Sequence, residues 1–200
     1  MKLWDKNNSV NEKIIEFTVG DDRLNDLYLI KYDVKASISH AKMLYRSNLL
    51  SEIECDKIIN ILNEILSQAE AGELKIEKEF EDMHSKIEYI LTDKLGDIGK
   101  KIHTARSRND QVLVSIQLYL IDELNFIKTE VKSLFDLLIN LAKKNKNIIM
   151  PGYTHMRAAM PSSFGLWFSA YAEILIDDVI SLNSTIEIIN QNTLGSAAGY

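Results

Sequence analysis

Two polar stretches interrupt an otherwise apolar, helix-patterned chain, and most of its chemistry lies in them. The first is Gly99–Gln111, GKKIHTARSRNDQ. Lys100, Lys101, Arg106 and Arg108 stand there against Asp110 alone, a formal local charge of +3 in a chain of net charge -6. Ser107, Arg108, Asn109, Asp110 and Gln111 fall before or in the first turn of an expected helix. Unpaired backbone N–H groups and the positive end of the helix dipole favour a carboxylate or phosphate at such a place. Ser107, Asn109 and Asp110 are also ordinary capping residues. Ile102, however, is the one aliphatic core-type side chain in the stretch, and a long polar connector rich in donors reads as a binding element.

The second stretch is Met150–Pro161, MPGYTHMRAAMP, which holds both prolines of the chain. Thr154-His155 is its acid/base candidate: imidazole titrates near neutrality, and the adjacent hydroxyl can bind substrate or water. Of the four histidines, His84, His103 and His155 lie in polar joints rather than in apolar stripes. They lack the i, i+4 spacing of a helical zinc site, so no metal is expected. Cys55, between Glu54 and Asp56, is a poor thiolate nucleophile. Gly195 and Gly199 do not form a G-x-G-x-x-G phosphate loop, and no nucleotide cofactor is indicated.

Composition narrows the class further. With 46% hydrophobic and 26% charged residues the chain can bury a core, and its composition is that of a globular protein rather than a disordered one. An acidic chain with a single short basic island is a poor nucleic-acid binder and a better host for a small anion. No apolar run reaches the length of a membrane span, and the N-terminus lacks the apolar core of a signal peptide. The single cysteine excludes an intrachain disulfide and suits a reducing compartment, so a cytoplasmic location is expected.

The elements that must position the two stretches follow from apolar spacing and from the scarcity of glycine and proline. Residues 1–20 read as irregular, with Trp4 and Phe17 as anchors. Asp21 and Asp22 open a helix over about 22–46 carrying Leu24, Leu27, Tyr28, Val34, Ile38 and Ala41. Ser37, Ser39 and His40 on that helix face water by default. Ser51 and Glu54 form an S-x-x-E capping box ahead of Ile58, Ile61, Leu62 and Ile65, with Gly72 at the exit. Glu81–Leu95 is a third helix with His84 in its first turn. The longest helix, 111–145, carries an apolar face too wide for a surface helix and spans ~50 Å at ~1.5 Å per residue. Pro161 is placed to start a further helix, to about 190, antiparallel to it. No convincing strand alternation is present, so the class is all-α.

Four motifs then converge on one family. H-T-A-R-S-R-N-D-Q at 103–111, P-G-Y-T-H-M at 151–156, E-D-M-H-S-x-I-E at 81–88 and L-G-S-A-A-G-Y at 194–200 resemble the argininosuccinate lyases of the fumarase/aspartase superfamily. The likeness runs through nearly the whole chain, and the S-R-N-D-Q form differs from that of fumarases and adenylosuccinate lyases. The resemblance implies an N-terminal helical domain over 1–110 and, over 111–200, the first part of a central helical bundle. It also implies a cofactor-free, reversible elimination of argininosuccinate to arginine and fumarate, through a doubly charged aci-carboxylate.

Residue by residue, the resemblance implies that His155 does the acid/base work. Ser37, Ser107, Arg108, Asn109, Thr154 and His84 are the substrate-binding candidates. It implies a homotetramer whose sites draw on three subunits, in chains more than twice this length. A serine- and lysine-bearing loop of those chains lies outside these residues, so the 200 residues are expected to be an inactive fragment on their own. Arg157 stands where the family usually has glutamine, Met160 where glutamine is frequent, and Ala36 where glycine is common. A sister lyase acting on another succinyl-amine, or a non-catalytic crystallin-like scaffold, are the alternatives.

Overall fold

A computed structural model describes residues 12–196. The chain is all-α apart from one small hairpin. Its elements are α1 (Glu12–Val19), α2 (Asp22–Arg46), α3 (Glu52–Glu70), α4 (Met83–Leu95), the short α5 (Asp97–Lys100), a single 3-10 turn (Lys101–His103), α6 (Arg108–Asn145), β1 (Ile149–Thr154), β2 (Arg157–Ser163) and α7 (Phe164–Ile189). Two compact units are formed. The first holds the described residues through Tyr119 and returns for 192–196; the second holds Leu120–Gln191.

The first unit is built by α2, α3 and α4 around a core in which Val34, Leu44, Ile58, Leu62 and Leu91 are wholly buried. Each such side chain contributes roughly 1.5–3 kcal/mol through its removal from water. Helix α3 starts with the full capping box: the Ser51 hydroxyl accepts Glu54 N–H and the Glu54 carboxylate accepts Ser51 N–H. Two long-range hydrogen bonds fix the approach to α4. Arg23 Nε donates to the Phe80 carbonyl at 2.8 Å, and Asp26 Oδ2 accepts Met83 N–H at 2.9 Å. Downstream, Gly99 passes so close to α4 that a Cβ would lie 2.2 Å from the Leu91 carbonyl oxygen. That contact brings the first polar stretch back under α4.

The second unit pairs the later turns of α6 with α7. A Cβ on Gly165 would meet Lys146 and Ala142, and Lys128 Nζ donates to Asn183 Oδ1 at 2.9 Å, which fixes the antiparallel direction. Between them the chain forms β1 and β2, paired antiparallel with Pro151 opposite Pro161 and Thr154 opposite Arg157. The strands were hidden in the sequence by their prolines and small residues. Proline cannot donate to a ladder, so two prolines sit opposite each other only at a pair that needs no N–H.

Several expectations are corrected. Pro161 lies inside β2, and α7 starts at Phe164 with the Ser163 hydroxyl accepting Leu166 N–H. Phe17 is 87% exposed, so it is not an anchor among the described residues; Trp4 lies outside them. On α2, Leu24 and Tyr28 are exposed, and the buried stripe is Ile30, Asp33, Val34, Ser37, Ala41 and Leu44. The stripe therefore begins later and contains an acid and a serine. Ser37 is buried rather than turned to water, whereas Ser39 is exposed.

Candidate active site

Asp82 starts the site. Its backbone is extended, and its carboxylate Oδ1 accepts Ser85 N–H at 2.8 Å, capping α4 and setting His84 in the first turn. The same oxygen receives Arg108 at 3.1 Å, while the other guanidinium nitrogen of Arg108 donates to Ser85 Oγ at 3.3 Å. The first residue of α6 is thereby fastened to the first turn of α4. At the start of α6, Asp110 reaches back to accept Ser107 N–H at 2.8 Å through one oxygen and Gly195 N–H at 2.7 Å through the other. These donors, the Ser107 amide first, hold its carboxyl below the usual range.

Beneath this surface the first unit collects buried polar groups. His84, only 2% exposed, places Nδ1 3.1 Å from Oδ1 of the fully buried Asp33. Arg106 donates to the buried Ser37 hydroxyl at 3.0 Å, one helical turn beyond Asp33. Both Asp33 oxygens, His84 Nδ1, Arg106 Nε, Ser107 Oγ and Gln111 Oε1 are buried without a well-formed hydrogen bond. Unpaired buried polar atoms are sparse in folded proteins, and a group of them at one place marks a site rather than a core. Burial pushes the Asp33 carboxyl up to about 6 even though Arg106 and Arg108 pull it down. Burial likewise lowers the Arg106 guanidinium, with Asp33 and Glu88 opposing. At the margin, His103 Nδ1 and Glu88 Oε1 are 2.8 Å apart, and His40 Nε2 is 3.0 Å from the Thr104 carbonyl.

The structure thus brings Ser37, His84, Ser107 and Arg108 together in the first unit, with Arg106 and Asp33 added to them. Asn109 stands at the same helix start, its amide donating to the Ser196 carbonyl and hydroxyl, both at 2.9 Å. Thr154 and His155 belong to the second unit, exposed at the hairpin tip. His155 and Met156 form its two-residue turn, with φ of 47° and 61°. In the sequence Arg106 stands out only as charge. Asp33 carries a readable signal, an acid at a core position of a helical stripe, four residues before Ser37. Among the described residues no group of three or more metal-ligating side chains is found.

Solved structures of similar architecture define the class. The chain matches a fumarate lyase:delta crystallin from Brucella melitensis with a TM-score of 0.75 at 18% identity, over 94% of this chain and 48% of that one. It matches an EDDS lyase in complex with formate with a TM-score of 0.75 at 20% identity, over 97% and 39%. The fold is therefore that of the fumarate lyases. The family described as Lyase matches residues 14–200, and the chain belongs to it. Among curated relatives, the argininosuccinate lyase of Phocaeicola vulgatus is 53% identical over 199 residues, covering 100% of this chain and 45% of that protein. The argininosuccinate lyase of Thermotoga neapolitana is 48% identical over 199 residues, covering 100% and 50%. The chain spans about half the length of the curated relatives it matches.

Proposed function

We propose that the chain contributes to an argininosuccinate lyase, a carbon–nitrogen lyase that eliminates fumarate from argininosuccinate and releases arginine. The observation that carries this reading is the convergence of Ser37, His84, Arg106, Ser107 and Arg108 at the start of α6. The near-half identity with proteins of that name supports it.

The chemistry has one hard step. Removing a proton from carbon beside a carboxylate leaves two negative charges on that group, and preorganised cations and N–H donors stabilise them. The guanidiniums and the helix start supply such donors in the first unit, and the buried Ser107 hydroxyl, without a well-formed hydrogen bond, adds one more. Asn109 would bind substrate by exchanging Ser196 for a ligand oxygen. His155, with Thr154 beside it, would move the proton, presented from the hairpin tip.

We extend the reading to the assembly. On α6 and α7 of the second unit, Phe126, Leu137, Leu166, Ile174, Ile180 and Ile188 are each more than half exposed. Apolar faces of this kind mark contact surfaces, and further copies in a homotetramer would cover them. Arginine biosynthesis in the cytoplasm is the setting that this activity and the single cysteine suit.

The test is fumarate release from argininosuccinate, followed by ultraviolet absorbance, for the chain alone and for the protein carried by its full reading frame. Activity in the latter that falls by about 100-fold or more in His155→Ala and Asn109→Ala supports the reading. Full activity in both variants, or turnover of a different succinyl-amine only, refutes it.

A further inference from the structure

We propose that Asp33 is a positioning residue of the anion site: from beneath the island its carboxylate orients the His84 ring and holds the Arg106 and Arg108 guanidiniums against their mutual repulsion. The inference rests on the reading of the island as a carboxylate-binding site.

Three other acids around the site explain themselves. Asp26 accepts Met83 N–H, Asp82 accepts Ser85 N–H, and Asp110 accepts the amides of Ser107 and Gly195. Each fastens backbone. Among the described residues Asp33 accepts no backbone N–H, and both its oxygens are buried without a well-formed hydrogen bond. It occupies a place on the buried stripe of α2 where an apolar residue would avoid the cost of desolvating a carboxylate. What it has instead is a set of cationic side chains.

The groups facing it come from three neighbouring segments. Helix α4 and its cap bring His84 and Asp82, the loop brings Arg106, and α6 brings Arg108 and the Ser115 hydroxyl. Asp33 and Ser37, four residues apart, lie one above the other on the same face. Ser37 takes Arg106 by hydrogen bond, so α2 meets the island with an acid and a hydroxyl side by side. With His84 Nδ1 at 3.1 Å, a charged Asp33 favours the tautomer protonated on Nδ1 and leaves Nε2 as the ring's other polar atom. An acid that acts through its neighbours in this way needs no contact with substrate. Its influence must fade as pH falls through about 6, where the buried carboxyl takes up a proton.

The experiment uses the protein carried by the full reading frame, with Asp33→Asn and Asp33→Glu. Kinetic constants for argininosuccinate are measured from pH 5 to 8.5, with thermal midpoints and the side-chain 15N spectrum of His84. Wild type should hold His84 with its proton on Nδ1 at alkaline pH and lose activity on an acid limb near pH 6. Asp33→Asn should remain folded, lose about 10- to 100-fold in kcat/KM at pH 8, and lack that limb; Asp33→Glu should recover part of the loss. A folded Asp33→Asn with wild-type kcat/KM and an unchanged acid limb overturns the inference. So does a wild-type His84 protonated on Nε2 alone, a result that needs no variant. A wild type that neither binds nor converts argininosuccinate overturns the reading of the island, and this inference with it. A competent wild type with an indifferent Asp33→Asn overturns this inference alone.

Discussion

Replacing Gly195 by alanine tests how the 193–196 segment is held on the start of α6. A Cβ there would lie 2.5 Å from the Asn109 carbonyl carbon and the Asp110 nitrogen, and 2.7 Å from Asn109 Cβ. Backbone atoms in the first turn of a long helix cannot give way, so the segment itself must lift. Lifting removes four hydrogen bonds: Gly195 N–H to Asp110 at 2.7 Å, the Asn109 amide to Ser196 O and Oγ, and the Thr193 hydroxyl to Gln117 at 3.2 Å. At ~1 kcal/mol for each neutral bond and ~2 for the charged one, the gross loss is ~5 kcal/mol. Freeing four residues returns about 1 kcal/mol of backbone entropy apiece.

The two nearly cancel, so local release at a net cost of ~1 kcal/mol wins over global unfolding. Hydrogen exchange on wild type and Gly195→Ala checks this. The Gly195 amide should lose protection while the α2–α4 core keeps its own, and the thermal midpoint should shift by only a few degrees. Asp110, short of one of its two amide donors, should titrate closer to an ordinary carboxyl. Retained protection at residue 195 would refute the reasoning, and so would core-wide loss of protection.

Two further outcomes follow from the first unit. Burial raises Asp33 and Asp26 from 3.8 to about 6. A folded carboxyl that binds its proton more tightly than the unfolded one stabilises increasingly as pH falls from about 6 toward 3.8. For the fully buried Asp33 this is about 2 units, or ~3 kcal/mol as a ceiling; an imidazolium at 3.1 Å would reduce it, and the partly exposed Asp26 adds less. Denaturant titrations should therefore show stability rising between pH 7 and 5, with a flattened slope in Asp33→Asn, and a monotonic fall across that range would contradict the signs. Ser51→Ala, which removes the hydroxyl half of the α3 capping box, should cost ~1 kcal/mol in the same titration, and a change below a few tenths would show the box to be dispensable.

How much of this the sequence disclosed depends on how local each cause is. The α3 capping box is a four-residue device, so Ser51 and Glu54 declared it outright. The long α6 was legible from spacing, but its start at Arg108 lies inside the polar stretch because Arg108 itself is tied back to Asp82 on α4. Leu24, Leu27 and Tyr28 kept helical spacing yet ended exposed, since spacing gives a stripe and does not say where along a helix its partners stop. The candidate site shows the same division. The family resemblance pointed to Ser37, His84 and the α6 start, whereas the Asp33–His84 approach joins residues 51 positions apart. Nothing short of the fold reveals that.

The hairpin is the least legible element, and the reason bears on His155. Two-residue hairpin turns with both residues at positive φ are built most cheaply from Asn and Gly. Here His155 and Met156 occupy them, at φ 47° and 61°, and Met156 is 96% exposed. A non-glycine residue held in the left-handed region costs of order 1 kcal/mol or more, and that cost is met by the β1–β2 ladder, whose register is fixed on both sides of the turn. Selection for turn stability alone would replace both side chains. A histidine at the tip in spite of that cost, next to a threonine whose partner across the ladder is Arg157, fits the proton-transfer role proposed for its imidazole. The same observation supplies a control: His155→Asn should strengthen the turn, raising the thermal midpoint or leaving it unchanged, even as the proposed acid/base group is lost. A stability loss from His155→Asn would mean that the ring is there to pack, and the argument for its chemistry from backbone strain would fail.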